Sequence, residues 1–531
     1  MLWLRQRTHL EVCQLSEKVN DARQQAGASA RTVCIDIAKQ LSDIVKHTLG
    51  PSGLDNMLVD QAKDVVITND GATIMKESDI DHPVAKVIMD VARTQEEQCF
   101  DGTTSSIILT GALMEEASTL LKNKIHPTKI AIGYQIAAIK AEELLLDMGM
   151  KVDEEILDKV AQTAMTGKSA EADKEHLAAI CVEVAMAAPL DDINIVRRPN
   201  GKIRDSTAIA GLLIDGQKAS HEMPDAVEDP KIGLIAADID IPDYAQALNV
   251  QVTNNSEVQQ FIEGRNAQLV EMAQSILDTG VNVLFCSREI HPAIIEAFAT
   301  KGLYLVRRVR RSDMEALANA TGARIVVNVD TISSKDLGTS KLLEEVNIGE
   351  RPMVKLTGTP NESTVSVLVR APTQHVVDEI KRAFDDAIGV VSIAYEDESV
   401  MPGGGAPYLT LSANLKEYAA TVGGREQMAV EAFANALEVI PKTLAENSGL
   451  DPIDSLIALR KAHTQEDGWK YGINVNDGTA CDMIEANVVE PKRVAAQAIR
   501  SAADISSQLI RIEKIITAKR RAEIGDDDFE Y

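Results

Sequence analysis

Aromatic residues are scarce in this chain, at 3% of 531 positions, with Trp3 and Trp469 its two tryptophans. Its cores must therefore be built mainly from Ala, Ile, Val, Leu and Met, side chains that suit close helix packing. The six cysteines, Cys13, Cys34, Cys99, Cys181, Cys286 and Cys481, form no Cys-x-x-Cys pair and have no histidine nearby at zinc spacing. That argues against a zinc site and fits a reducing interior. Long apolar runs are missing too: no stretch of 18 occurs, and the opening Met1–Leu4 is cut off at once by Arg5 and Arg7. Neither a signal peptide nor a membrane span is expected, and a cytoplasmic location follows. Positive charge is also short. With 54 basic against 81 acidic residues the net charge is -27, which argues against nucleic acid as a partner.

What is present is ample apolar material, 45% of the chain beside 25% charged residues, in a length that suggests roughly three or four domains. From Ala30 to His47 apolar residues recur every three or four positions, predicting a helix stopped by Gly50 and Pro51. Met57–Val59 and Val65–Thr68 read as a hairpin, followed by turn chemistry at Asn69-Asp70-Gly71. Helical patterns fill Val84 to Met148, with breaks at Asp101-Gly102 and His126-Pro127. Between about Asp192 and Glu289 short β-rich runs appear at Gly211–Ile214, Ile232–Ala236 and Val283–Phe285, with Leu303–Val306 beyond. Thr364–Val369 is a further strand, Val376–Ala394 a helix, and the last hundred residues return to Ala-rich helices. The two ends share a texture that the middle lacks. A mixed α and α/β multidomain protein is expected, with a discontinuous helical domain enclosing an inserted α/β domain.

Four stretches carry phosphate-site chemistry, each with a plainer alternative. Thr48-Leu49-Gly50-Pro51-Ser52-Gly53 is a glycine-bearing loop whose backbone N–H groups can approach an anion, or simply a helix-to-strand turn. Asp101-Gly102-Thr103-Thr104-Ser105 precedes the apolar helical run Ile107–Leu121. A helix N-terminus there offers donors and a favourable dipole to phosphate, and the carboxylate can hold Mg²⁺; ordinary N-capping is the alternative. Pro402-Gly403-Gly404-Gly405-Ala406 suits close backbone approach to a ligand, or a hinge. Asp385-Asp386 lies in a helix pattern, where one carboxylate can orient an attacking water or both can face solvent.

Taken together and in order, these segments resemble the group II chaperonins. The matching stretches are TLGPSGLDNMLVD from Thr48 to Asp60, TNDGATI from Thr68, DGTTS from Asp101 and RRVRRSDMEAL from Arg307. HVVDEIKRAFDDAI from His375, GGGA from Gly403, NSGLD from Asn447 and EPKRVAAQA from Glu490 continue the likeness, which runs from about Thr32 to Lys519. The resemblance implies an equatorial domain at residues 1–148 and 402–531 and an intermediate domain at 149–210 and 367–401. It implies an apical domain at 211–366, with a built-in lid protrusion near 240–263 and so no separate lid protein. It implies ATP and Mg²⁺ as cofactors, with ATP hydrolysis driving lid closure over unfolded polypeptide clients, and identical or paralogous subunits in a double ring. By matching positions, Leu49, Gly50 and Pro51 would line the nucleotide, Gly102, Thr103, Thr104 and Ser105 would hold phosphates, and Asp101 would bind Mg²⁺. Gly405 and Glu490 would frame the adenosine. Asp386 and Asp70 would flank the γ-phosphate as catalytic carboxylates, and Lys168 would sense it. Within the protrusion segment and the residues that follow it, Val258, Phe261, Ile262, Leu269 and Ala273 form a helical apolar stripe that is either core packing or part of the protrusion, and Ser256 and Gln259 have the spacing of a capping box.

Several positions depart from that pattern. Phe100 stands where glycine is usual and is expected to crowd the phosphate loop or to point into neighbouring helices. Ala495 replaces a lysine, which would remove a nucleotide-side contact. Ala371-Pro372 replaces a glycine pair and would stiffen the hinge. The first thirty residues lack an apolar strand, and the tail carries Asp526-Asp527-Asp528. A ring subunit that holds clients with little hydrolysis is therefore the rival reading. A ligase or kinase lacks the Gly-x-x-x-x-Gly-Lys-Ser/Thr loop.

Overall fold

The computed structural model describes residues 28–59, 65–78, 80–167, 173–240, 255–348, 351–361 and 363–515. Lys168, most of the protrusion segment, the first 27 residues and the acidic tail lie outside them. The described chain divides into two compact units, one formed by residues up to Lys174 and from Asp385 onward, the other by Glu175–Phe384.

The first unit is helical, as the texture of the chain ends predicts. Its helices include Ala28–Lys46, Pro83–Cys99, Thr103–Lys122 and Pro127–Leu146 from the N-terminal part. Ala406–Val422, Glu426–Leu437, Val439–Asn447, Pro452–Ala462 and Lys492–Leu509 come from the C-terminal part. Two of them begin at His-Pro, where proline tolerates the first helical turn and the preceding imidazole caps it. His82 accepts from the Val84 N–H and His126 from that of Thr128. All of these helices but Pro452–Ala462, which packs through Leu456 and Leu459 in a smaller cluster, share one core, in which alanines such as Ala38, Ala117, Ala137, Ala434 and Ala502 allow close approach between Leu and Ile side chains. Tyr134, one of the few aromatics, is fully buried, donates to the Leu113 carbonyl at 2.7 Å and meets Phe433 edge-on. The hairpin pairs Asn56–Val59 with Val65–Thr68, Met57 opposite Ile67.

The second unit is α/β. Parallel strands lie in the spatial order Ile325–Val326, Lys231–Ile235, Val283–Cys286, Tyr304–Val306, with Gly338–Thr339 antiparallel to Lys231–Ile235. The two central strands have almost every side chain buried, the mark of a parallel sheet covered on both faces. Arg311–Thr321 packs through Met314 and Leu317, and Asn255–Asp278 through Leu269, Ala273 and Ile276. The C-terminal part of the expected stripe is thus core packing, whereas the Ser256, Val258, Gln259, Phe261 and Ile262 side chains lie outside the described residues. A four-stranded antiparallel sheet (Leu212–Ile214, Arg351–Thr357, Leu342–Ile348, Ala226–Glu228) and a three-stranded one (Ile193–Arg198, Val365–Arg370, Thr207–Ala210) complete the unit. The helix Gln374–Asp397 starts in this unit and ends in the first. Thr373 offers its hydroxyl to the Val376 N–H at the helix start, so Pro372 sits just ahead of a capped first turn. Among the described residues no helix is long and apolar enough to cross a membrane.

Candidate functional site

A cavity of about 730 Å³ opens within the helical unit, a volume typical of small-molecule sites. The candidate residues converge on it from six separated segments. Leu49, Gly50 and Pro51 form one wall, Asp101 to Ser105 a second, and Gly405 with Glu490 a third; Asp70 and Asp386 complete the lining. Lys168 lies outside the described residues. Thr166, two positions earlier, lines the cavity, and the Gly167 carbonyl accepts from Asn69 Nδ2 at 2.9 Å.

Each wall has a local cause. The Gly50 loop follows the end of Ala28–Lys46, and Asn447 clamps it by donating from Nδ2 to the carbonyls of Lys46 at 2.9 Å and Leu49 at 2.8 Å. The Asp101 loop is not an ordinary N-cap. Asp101 Oδ1 accepts from the N–H of Gly102 at 2.7 Å, and the cap of Thr103–Lys122 is Gly102 itself, with φ 78° and no side-chain bond. The first N–H groups of that helix are therefore left for a ligand. Gln95, fully buried beneath, donates to the carbonyls of Asp101 and Val494 and pins the loop from below. Gly405 caps Ala406–Val422 in the same way, with φ 80° and no side-chain bond. A second helix N-terminus thus meets the cavity.

Asp70 joins two walls. Its carboxylate accepts from the Thr73 N–H at 2.8 Å, capping Gly71–Glu77, and from Thr103 Oγ1 at 3.2 Å. Close approach here demands glycine at 71, since a Cβ would lie 2.7 Å from Thr104 Oγ1. Asp386 comes from the helix Gln374–Asp397. The Glu96 carboxyl is raised by its own burial and then by the Asp70 and Asp386 carboxylates beside it. Glu490 lies deep at the back on the strand Val489–Pro491, opposite Met401. Desolvation, and then the Asp101 carboxylate, push its carboxyl up to about 8, so it holds its proton at neutral pH.

Sequence reasoning missed several lining residues, among them Asn69, Tyr408, Asn474, Asn476 and Met483. The segment after Ile473 carries Asn-Val-Asn-Asp-Gly, strong turn chemistry that would have marked it as a loop. Ala495 is fully buried in the helical core and does not line the cavity, so no side chain reaches the cavity from that position. Phe100 lines the cavity at one edge, but its ring packs against Gly389 and joins Cys99, Ile393 and Val494. It points into the helices. The five cysteines within the described residues are all free. No group of three or more His, Cys, Asp or Glu able to hold a metal ion alone occurs among the described residues.

A helical unit with an anion-ready cavity, joined to an α/β unit, defines a class, and residues 41–520 match the TCP-1/cpn60 chaperonin family. The chain belongs to that family. It is 44% identical over 507 residues to a thermosome subunit of Methanopyrus kandleri, covering 93% of each chain. Identity to thermosome subunit beta of Archaeoglobus fulgidus is 45% over 507 residues, again 93% of each. The open-state monomer of a group II chaperonin from Methanococcoides burtonii matches with a TM-score of 0.65 and 38% identity, over 78% of this chain and all of that one. These likenesses make it a group II chaperonin subunit.

Proposed function

We propose that this chain is an ATP-hydrolysing subunit of a ring chaperone, working beside identical or paralogous copies on unfolded polypeptide in the cytoplasm. Residues 1–148 and 402–531 would act as the equatorial part, 149–210 and 367–401 as the intermediate part, and 211–366 as the apical part. The observation that carries the reading is the uncapped helix N-terminus at Gly102, which faces a cavity that Gly405 also edges and that holds Asp70, Asp101 and Asp386.

Thr103, Thr104 and Ser105 offer backbone N–H groups and hydroxyls to phosphate oxygens, and the helix dipole adds to them. Leu49, Gly50 and Pro51 close over the nucleotide, and Gly405 and Glu490 flank its sugar and base. A protonated Glu490 can donate as well as accept there. The cavity is rich in carboxylates, so a bare polyphosphate would be repelled. Mg²⁺ resolves this, since it is bound through one or two carboxylates plus substrate phosphates, and the single Asp101 fits that donor set. The ion would offset charge on the phosphates. Asp386 and Asp70 orient and deprotonate the attacking water, and Lys168 would answer the γ-phosphate charge.

Steady-state ATPase of the purified protein beside Asp386→Ala tests the reading. We expect nucleotide binding to persist and turnover to drop by roughly a hundredfold or more. Wild-type turnover no faster than that of the variant would leave the chain a client-holding ring subunit instead.

A further inference from the structure

Phe100 has φ 56° and ψ 1°, a left-handed backbone that disfavours any residue with a Cβ, and it ends the helix Pro83–Cys99 by donating its N–H to the Glu96 carbonyl at 3.0 Å. Such a conformation persists only when its surroundings over-determine it. Here the surroundings are a notch. Gly389 lies in the helix Gln374–Asp397, and a Cβ at Gly389 would fall 2.2 Å from Phe100 Cγ and 2.5 Å from Cδ2. The ring is therefore flush with the helix backbone, flanked by Cys99, Ile393 and Val494. Gly389 follows Asp386 by three residues, and so sits one turn along the same helix face. On its other side Phe100 is bonded to Asp101, the first residue of the phosphate loop.

We propose that Phe100 is a positioning residue for hydrolysis: its ring, keyed into the Gly389 notch, sets the distance between the Asp386 carboxylate and the loop Asp101–Ser105. The proposal rests on the reading of Asp386 as the group that acts on the attacking water. The Gly50 loop, Gly405 and Glu490 are held by other contacts, so Phe100 governs the chemical step and leaves nucleotide binding almost untouched. A displacement of about 1 Å at a reacting group costs up to about a hundredfold in rate. That is ample leverage for one ring.

The test measures kcat and KM for ATP, with Tm, on assembled full-length protein carrying Phe100→Gly, Gly389→Ala, both together, or Asp386→Ala. Glycine accepts the left-handed backbone and so offsets part of the packing lost with the ring; Phe100→Gly should lower Tm by only a few degrees, staying folded at the assay temperature, while kcat falls about tenfold or more and KM stays within about twofold. Gly389→Ala should expel the ring and lower kcat likewise. The double variant should be no worse than either single one, because the same contact is already lost. Wild-type kcat in Phe100→Gly, a raised KM at unchanged kcat, multiplying effects in the double variant, or a kcat loss that merely follows a falling Tm would each overturn the proposal. If Asp386→Ala hydrolyses ATP at the wild-type rate, the underlying reading fails. If Asp386→Ala is inactive while Phe100→Gly matches wild type, only the positioning role fails.

Discussion

Replacing Glu438 by glutamine should loosen the wall of the cavity without touching the nucleotide. Its side chain is 3% exposed and sits at the joint between Glu426–Leu437 and Val439–Asn447. Both its oxygens accept from Arg460 at 2.7 Å, Lys416 lies at 2.6 Å and Lys442 at 3.4 Å. Burial pushes the carboxyl up, but the Arg460 and Lys416 bonds and charges outweigh it and hold the group at about 2 against an ordinary 4.5. At about 1.4 kcal/mol per tenfold change in proton affinity, the pairing is worth about 3 kcal/mol at neutral pH. The cations are half-exposed and can turn to water, so about 2 kcal/mol is the expected loss in Glu438→Gln. A depressed carboxyl contributes stability that is whole above 4.5 and fades as pH falls toward 2, about a quarter of it by pH 4. Hydrogen exchange in the Val439–Asn447 and Pro452–Ala462 helices, for wild type and Glu438→Gln at pH 7 and pH 4, reads this directly. Equal protection at pH 7, or a difference that grows on acidification, would refute the reasoning.

Asn447→Ala removes both bonds from the Lys46 and Leu49 carbonyls, and at about 1 kcal/mol each the Gly50 loop should loosen enough to raise KM for ATP about tenfold with kcat little changed; steady-state kinetics checks it. Glu490 gives a slope of the opposite sign to Glu438. Its carboxyl is raised to about 8, so the folded chain retains a proton that the unfolded chain releases near 4.5, and stability declines as pH rises through that window. Glu490→Gln should flatten the decline, with a Tm gain over wild type at pH 9 that disappears at pH 5 in thermal denaturation.

What the sequence makes legible is whatever repeats locally. The helix Ala28–Lys46, the pairing of the hairpin strands Asn56–Val59 and Val65–Thr68 and the helix break at Asp101-Gly102 are all legible from residue patterns within a few positions. The buried runs at Lys231–Ile235 and Val283–Cys286 read as strands for the same reason. Contacts between distant segments leave no such trace. The Asn447 amide reaches a carbonyl 398 residues away, and Gln95 one 399 away; NSGLD was readable as a motif but not as a clamp. Ala495 lies in the same helix as the motif residues after Glu490, yet the helical repeat turns it into the core. The helix Gln374–Asp397 also runs beyond the predicted Val376–Ala394 at both ends, because Thr373 and the following turns continue what the apolar pattern alone cannot bound.

The helix starts show how the cavity draws on the rest of the fold. Two helices that start at the surface are capped by a side chain: Asp153 accepts from Ile156, and Asp451 from Ile453 and Asp454. Each such cap is worth about 1 kcal/mol. At Thr103 and Ala406 the cap is a left-handed glycine with no side-chain bond. A missing cap is not itself a sign of function, since Arg311–Thr321 and Glu426–Leu437 also start without one. The distinction lies in what occupies the space. At those two glycines it is a cavity edged by Asp101, Asp70 and Glu490; at Gly102 the donors that a capping side chain would have satisfied remain open, whereas at Gly405 the Ala406 N–H is bonded to the Gly403 carbonyl and Pro407 has no N–H to offer. Stability forgone at the Thr103 helix start would be recovered on ligand binding, which would tie the order of the Asp101 loop to occupancy of the site.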